Sequence, residues 1–367
     1  MISRSMSVPV LRDNVIRFAR HTTLCFILFS LILTLGHERA ARIPDLWHIH
    51  AGILRDVSAE LPIGRQALVS SLAVLPLTNL AALPFLPWLN PPAFGFAYLY
   101  GLALLLALAA MPLAALLGRW GLGRVRPAAP LVLALAAWLL GSTEWSDGLA
   151  CLAMLMVALY FETGELPEWR ALSGVFWALV LFAHLAGWFL VVIRVSVVVI
   201  NRVRGRCSRE ARAVQGIQGV SVLYGLGVYL FLNGMIMGTP AYPFGAASGR
   251  FSVRNTDASK RQLALILGRH YSDCRPVVSG LWGYAIQPLL AETEGYHVVD
   301  FHPRKLPPDE TGSLVLVIPA PGNPFAPLND LKPAAITMSS DFAAPPAFDS
   351  TPEWTFIRID MKTVESE

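Results

Sequence analysis

The stretch HERAARIPDLWHIHAGILRDVSAELPIGRQ, residues 37–66, decides how the chain is read. It is the long acid-bearing interruption between two apolar runs, Thr22–Leu35 and Ala67–Leu89. Glu38, Arg39, Arg42, Asp45, His48, His50, Arg55, Asp56, Glu60 and Arg65 stand in it among Leu46, Trp47, Ile49, Ile53 and Leu54. Pro44 can open a helix, and Leu46, Ile49, Ile53 and Leu54 recur at helical spacing. The pattern predicts an amphipathic helix over 45–55 that lies in a membrane interface, with Trp47 as its anchor. Pro62–Gly64 ends it.

Working outward, the chain is 54% hydrophobic and 15% charged, whereas a soluble chain carries about a quarter charged residues. Apolar runs fill 22–237 and ordinary polar sequence fills 250–367, which gives one integral membrane domain and one small soluble domain. The net charge of +4 is no nucleic-acid signal, because the arginines gather at the ends of apolar runs, as membrane topology requires. Cys25, Cys151, Cys207 and Cys274 stand far apart, which argues against a disulfide framework or a zinc site. No small-residue cleavage site follows Thr22–Leu35, so that run reads as an uncleaved anchor.

Seven spans are expected, near 21–36, 67–89, 94–117, 128–140, 149–161, 169–193 and 214–237. Pro76, Asn79 and Pro84 predict a kinked second span. Arg4, Arg12, Arg17 and Arg20 in the tail 1–21 argue for a cytoplasmic N-terminus. Counted from there, the Arg202–Arg212 loop falls inside; loop 37–66, the Glu162–Glu168 turn and residues 250–367 fall outside. The same count puts the basic Arg119–Arg126 turn outside, against the charge rule, and the Ser142–Gly148 turn inside. A break within Trp169–Ile200 shifts everything after it by one crossing.

Beyond residue 250, helices are expected over Asp257–Gly268 and Ala285–Glu292. Strands are expected over Pro276–Ser279, Tyr296–Phe301, Ser313–Ile318, Ala335–Met338 and Trp354–Ile359. Pro319–Pro327 and Ala343–Pro352 read as loops. Gly280-Leu-Trp-Gly-Tyr284 lacks the spacing of a dinucleotide-binding turn. The expected fold is an α-helical polytopic membrane domain of about seven transmembrane helices, followed by a small α/β extracytoplasmic domain. Residues 1–21 form a basic tail, 22–245 the membrane domain with its outer loop 37–66, and 250–367 the soluble domain.

Several pieces in order carry a resemblance: Pro44–Asp45, Ala51-Gly-Ile-Leu-Arg-Asp56, Leu75–Pro76–Leu77, Ala171-Leu-Ser-Gly-Val-Phe-Trp-Ala-Leu-Val180, and Tyr229-Leu-Phe-Leu-Asn-Gly-Met-Ile-Met-Gly-Thr-Pro240. Together the chain resembles the GT-C superfamily of membrane glycosyltransferases. The nearest branch is family 39, with its protein O-mannosyltransferases and lipid A aminoarabinose transferases. His184 stands where that family commonly has a lysine, and the family's paired loop acid is here Asp45 followed by Leu46. The resemblance implies a GT-C-like domain over about 22–245. It implies sugar transfer from a polyprenyl-phosphate donor to an unidentified acceptor at the outer face of the inner or plasma membrane. By the same resemblance Asp45 is the general base.

The residue types suit that chemistry. A carboxylate at the membrane surface can take a proton from an acceptor hydroxyl or amine. Arg39, Arg42, Arg55 and Arg65 can grip a leaving phosphate, with His48 and His50 beside them. Each has a plainer reading: Asp45 as a first-turn acid favoured by the helix dipole, and the arginines as lipid-headgroup contacts. No cofactor is expected. A divalent metal on Asp45, His48 and His50 is disfavoured, because residues two apart do not share a helix face. Glu144 and Asp147 form a second acidic site, a contender only if the topology shifts. His184, within a span, is either functional or a helix–helix hydrogen bonder. With one loop acid in place of a pair, the alternative is a catalytically inactive scaffold or accessory protein of envelope polymer assembly. Partners are the lipid-linked donor, membrane lipid and the acceptor, with no nucleic acid.

Overall fold

The computed structural model of the chain describes residues 8–40, 45–69, 76–90, 93–141, 143, 145–164, 167–204, 208–237, 256–290, 298–300, 313–323, 325–326 and 347–360. The helices are α1 (Val8–Arg39), α2 (Asp45–Ser58), α3 (Pro62–Val69), α4 (Leu77–Ala82), α5 (Phe94–Arg119), α6 (Ala129–Leu140), α7 (Ser146–Glu162), α8 (Pro167–Leu181), α9 (Leu185–Val203), α10 (Arg209–Met237), α11 (Thr256–His270) and α12 (Trp282–Leu290). The strands are β1 (Cys274–Ser279), β2 (Val298–Asp300), β3 (Ser313–Pro319), β4 (Ala347–Ser350) and β5 (Trp354–Asp360). Two compact units result: residues 1–44 with 75–229, and residues 45–74 with 230–367. The boundary differs from the expected one, because the loop folds with the C-terminal residues.

The first unit is a helical bundle. Among the described residues five stretches are long and apolar enough to cross a membrane: Ile16–Arg39, Phe94–Arg119, Gly123–Leu140, Leu185–Val203 and Arg209–Ile236, the last running on into the second unit. The helices α7 and α8 are shorter, at 17 and 15 residues. Contacts at both ends fix their directions. Tyr98 of α5 and Asp147 of α7 meet at 3.3 Å near the helix starts. Arg119 donates to the Tyr160 carbonyl at 3.0 Å near the ends, so α5 and α7 run parallel. Arg194 of α9 donates to Glu162 at 3.1 Å, keeping α9 in the same direction. The helices α8 and α10 run the other way, with Gln218 donating to Ser173 at 2.7 Å and the rings of Phe182 and Tyr229 5.4 Å apart. The end of α1 meets the start of α5 through His37 and Phe96, ring centres 5.9 Å apart. The end of α1 also meets the end of α6, with the Arg39 guanidinium 5.6 Å from the Trp138 ring.

Two expectations about the spans are corrected. The apolar run Ala67–Leu89 is not one span. Its described part is the end of α3, the six-residue α4 and a 3₁₀ turn over Leu83–Trp88. Pro84 and Pro87 remove backbone donors and stop an α-helix, and six residues fall far short of the ~20 a crossing needs. Instead α4 lies beside the first turns of α5. A Cβ at Gly101 would come within 2.8 Å of the Thr78 carbonyl oxygen and the Ala82 nitrogen, so only glycine admits this approach. The start of α5 thus lies at the end of the bundle where α1 finishes.

The run 169–200 is also broken, into α8 and α9. Residues 182–184 turn between them, the Leu77 N–H donates to the Phe182 carbonyl at 2.9 Å, and the His184 ring Nδ1 accepts from the Ala186 N–H at 3.1 Å. His184 is thus an N-cap on extended backbone rather than a mid-span residue.

With both changes, Arg119, Arg124 and Arg126 lie at the same end as Arg17, Arg20, Arg202, Arg204, Arg209 and Arg212. The expected placement of the Arg119–Arg126 turn opposite those arginines is corrected. So is that of Asp147, which lies at the end where α1 finishes. The two shifts cancel beyond α9.

The second unit is a five-stranded sheet of order β2-β1-β3-β5-β4, with β1 parallel to both neighbours and β5 antiparallel to both of its own. Alternation sorts its faces. Val277, Leu314, Leu316, Ile318, Ile357 and Ile359 make one core. Val278, Val315, Val317, Trp354 and Phe356 face the other way, against residues of α11, α12 and α2. Expected and observed strands agree at 276–279, 313–318 and 354–359; β4 falls inside the expected loop Ala343–Pro352, while Ala335–Met338 lies outside the described residues.

Candidate functional site

The helix α2 brings the loop's chemistry into the second unit. Leu46, Ile49 and Ile53 are buried in the core shared with Leu263, Leu281, Tyr284 and Ala285. The apolar stripe that predicted an interfacial helix is covered by protein. A stripe of that kind is satisfied equally by lipid or by a folded neighbour. Gly52 makes the contact close, since a Cβ there would run into the Tyr284 ring.

Asp45 is the first residue of α2 and only 1% exposed. It forms an ion pair with Lys260 of α11, 215 residues away and 9% exposed. The Lys260 ammonium stands 6.0 Å from the Phe325 ring centre. One end of this helix is thereby fixed by charge. Further along, Asp56 is buried as well. Its carboxylate accepts from Arg55 at 2.8 Å and from the Tyr284 hydroxyl at 2.9 Å. Burial first, and then the Asp56 charge, push the Tyr284 hydroxyl well above its usual titration range.

Phe325 follows the carboxyl end of β3, with Lys260 beside it. The chain leaves β1 toward β2 on one side, and β3 lies on the other, so the carboxyl ends of β1 and β3 flank a reversal of strand order. Gly280, at φ 99°, makes the turn out of β1, a conformation that glycine adopts without strain. An aromatic cluster fills the space beyond: Trp282 lies 5.6 Å from Trp354 and 6.0 Å from Phe325, between ring centres. Both tryptophans and Phe325 are fully buried.

The remaining expected residues fall into different settings. His50 is buried, and His48, half-buried, meets the Trp47 ring edge-on at 5.3 Å. Arg55 is engaged with Asp56, Arg65 is exposed, and Arg39 belongs to the bundle. Arg42 and Glu144 lie outside the described residues. Among the described residues no three His, Cys, Asp or Glu side chains converge as metal ligands.

In the bundle, Asp147 is 2% exposed in the first turn of α7. It accepts from the Thr78 hydroxyl of α4 at 2.9 Å and from Tyr98 of α5 at 3.3 Å. Tyr98 and Ser146 share a further hydrogen bond of 2.6 Å.

Sequence reasoning missed Lys260, Tyr284, Thr78 and Tyr98. One signal was available for the first: in an arginine-rich chain, Lys260 is the earliest lysine. Chemically, the second unit holds a carboxylate and an ammonium that neutralise each other, and a second carboxylate tied to a phenol. The chain matches no family model, no curated protein and no solved structure.

Proposed function

We propose that the chain is a membrane glycosyltransferase of GT-C-like design that takes sugar from a polyprenyl-phosphate donor to an acceptor at the outer face of the inner or plasma membrane. The observation that carries the reading is the segregation of charge along the bundle. Arg17, Arg20, Arg119, Arg124, Arg126, Arg202, Arg204, Arg209 and Arg212 share one end, and such an excess in short loops marks the cytoplasmic side. The N-terminus is then inside. In this reading α1 and α5–α10 make seven crossings, and the loop acids and the α/β domain follow from the outer end.

In the reaction, the acceptor hydroxyl or amine bonds to the sugar's anomeric carbon as its proton passes to Asp45. The bond from that carbon to the phosphate oxygen breaks, and the phosphate leaves with the electron pair. Cations neutralise it, with Arg55, Arg65, His48 and His50 of the unit that holds Asp45 as the candidates. Asp147, at the outer end in this topology, is the second candidate base, with His184 nearby in the α8–α9 break.

The test uses the purified chain in vesicles with a labelled polyprenyl-phosphate sugar. Asp45→Asn is expected to lower transfer by on the order of a hundredfold or more, the usual contribution of a general base. Unchanged transfer in Asp45→Asn with loss in Asp147→Asn moves the base to Asp147. The engagement of Asp45 by Lys260 and of Asp56 by Tyr284 favours a second reading, a silent scaffold whose loop acids only hold the domain together. Absence of transfer by the unmodified chain from any such donor supports the scaffold.

A further inference from the structure

We propose that the Asp45–Lys260 pair is a latch: it holds the first turn of α2 shut on the α/β domain and keeps the Asp45 carboxylate out of use until it opens. A carboxylate 1% exposed and bonded to an ammonium cannot reach an outside acceptor. The pair must part before it does.

The helix is built for partial release. Two of its polar anchors stand far apart: Lys260 takes Asp45 in the first turn, and Tyr284 takes Asp56 near the far end. At ~1.5 Å per residue they stand about 16 Å apart along the helix. Between them sits Gly52, seated on the Tyr284 ring, and glycine is the most pliant residue for a helix interior. The Lys260 side chain is a flexible stem with a rotatable ammonium, at 9% exposure nearer to solvent than its partner. Opening is therefore a swing of the first turns about Gly52, with the Asp56 end staying docked. A plain structural ion pair would lack this asymmetry, and its loss would loosen the whole helix and the strands beneath.

Hydrogen–deuterium exchange on the full chain in nanodiscs tests it. Amides 49–52, whose helical acceptors are the carbonyls of 45–48, report the first turns, and amides 55–58 report the docked end. In Lys260→Met and in Asp45→Asn, exchange at 49–52 is expected to rise by on the order of a hundredfold, with 55–58 and β3 unchanged. The apolar pair Asp45→Leu with Lys260→Met is expected to restore protection, because replacing both charges removes the stranded ion. Unaltered exchange at 49–52 in Lys260→Met overturns the latch. So does a loss of protection that spreads equally to 55–58 and β3. The activity arm rests on the sugar-transfer reading: Lys260→Met then transfers faster than the unmodified chain. If 49–52 open but no variant transfers sugar, the latch stands and the transferase reading fails.

Discussion

Asp45 and Asp147 look alike in sequence and end differently. Each is a first-turn acid, of α2 and of α7, where the helix dipole favours a negative charge. Each is almost fully buried. In the α/β unit the carboxylate is met by an ammonium, Lys260. In the bundle two of its contacts are with neutral hydroxyls, from Thr78 and Tyr98. Stranding a buried ion by removing its counterion costs several kcal/mol, whereas one hydrogen bond among several costs far less. Breaking one contact should therefore cost much in the first region and little in the second.

The largest effect is expected at the ion pair. Lys260→Ala leaves a buried carboxylate without its cation, a loss of about 3–5 kcal/mol. It is read as faster hydrogen exchange at amides 49–52, the first turns of α2, with β3 protected as before. A loss below about 1 kcal/mol would place the pair with exposed ion pairs and erase the contrast between the two acids.

How far the two regions were legible follows the same line. The helix at 45–55 was readable from Pro44 and the apolar spacing, and α2 spans Asp45–Ser58. What covers its stripe was not readable, because spacing encodes a face and not its partner. Lys260 lay out of reach for the same reason: it sits 215 residues from Asp45, and no local pattern joins them. The run 67–89 misled because hydropathy counts apolar residues without weighing Pro84 and Pro87, which the backbone cannot ignore. Strand β4 was lost among prolines, since a four-residue edge strand leaves almost no alternation to detect.

A smaller effect is expected where α2 meets α12. Gly52→Ala pushes a methyl into the Tyr284 ring, and overpacking of this kind costs about 1–3 kcal/mol. A denaturation curve of the α/β unit, followed by the fluorescence of Trp282 and Trp354, reads it. Normal stability would mean that helix and ring are not seated as closely as described, and would weaken the case for Gly52 as the pivot.

Tyr284→Phe removes one donor to the buried Asp56 while Arg55 remains, so about 1.5 kcal/mol is expected, the lower range for a hydrogen bond to a charged group. It also carries a pH signature. The folded Tyr284 titrates above its ordinary value of 10.0. Its contribution is therefore complete below pH 10 and is lost as pH climbs from there through the raised folded value. Stability of the unmodified chain should fall more steeply above pH 10 than that of Tyr284→Phe. Parallel alkaline profiles would separate Tyr284 from the fold's pH response.

The smallest effect is expected in the bundle. Thr78→Val keeps the shape of the side chain and deletes the 2.9 Å hydrogen bond to Asp147. Hydrogen bonds between helices in a membrane contribute about 0.6 kcal/mol on average and rarely beyond ~1.7, because the separated helices find other partners. Tyr98 also still donates to the same carboxylate, at 3.3 Å. Detergent-induced unfolding of the bundle should thus shift barely at all, and Thr78→Val with Tyr98→Phe should shift more than the two single changes summed, since only the double variant strips Asp147 of both hydroxyls. If Thr78→Val alone matched Lys260→Ala, the bundle would be holding Asp147 as tightly as an ion pair holds Asp45. A buried acid kept at that cost would then be the stronger candidate for the proton-accepting group.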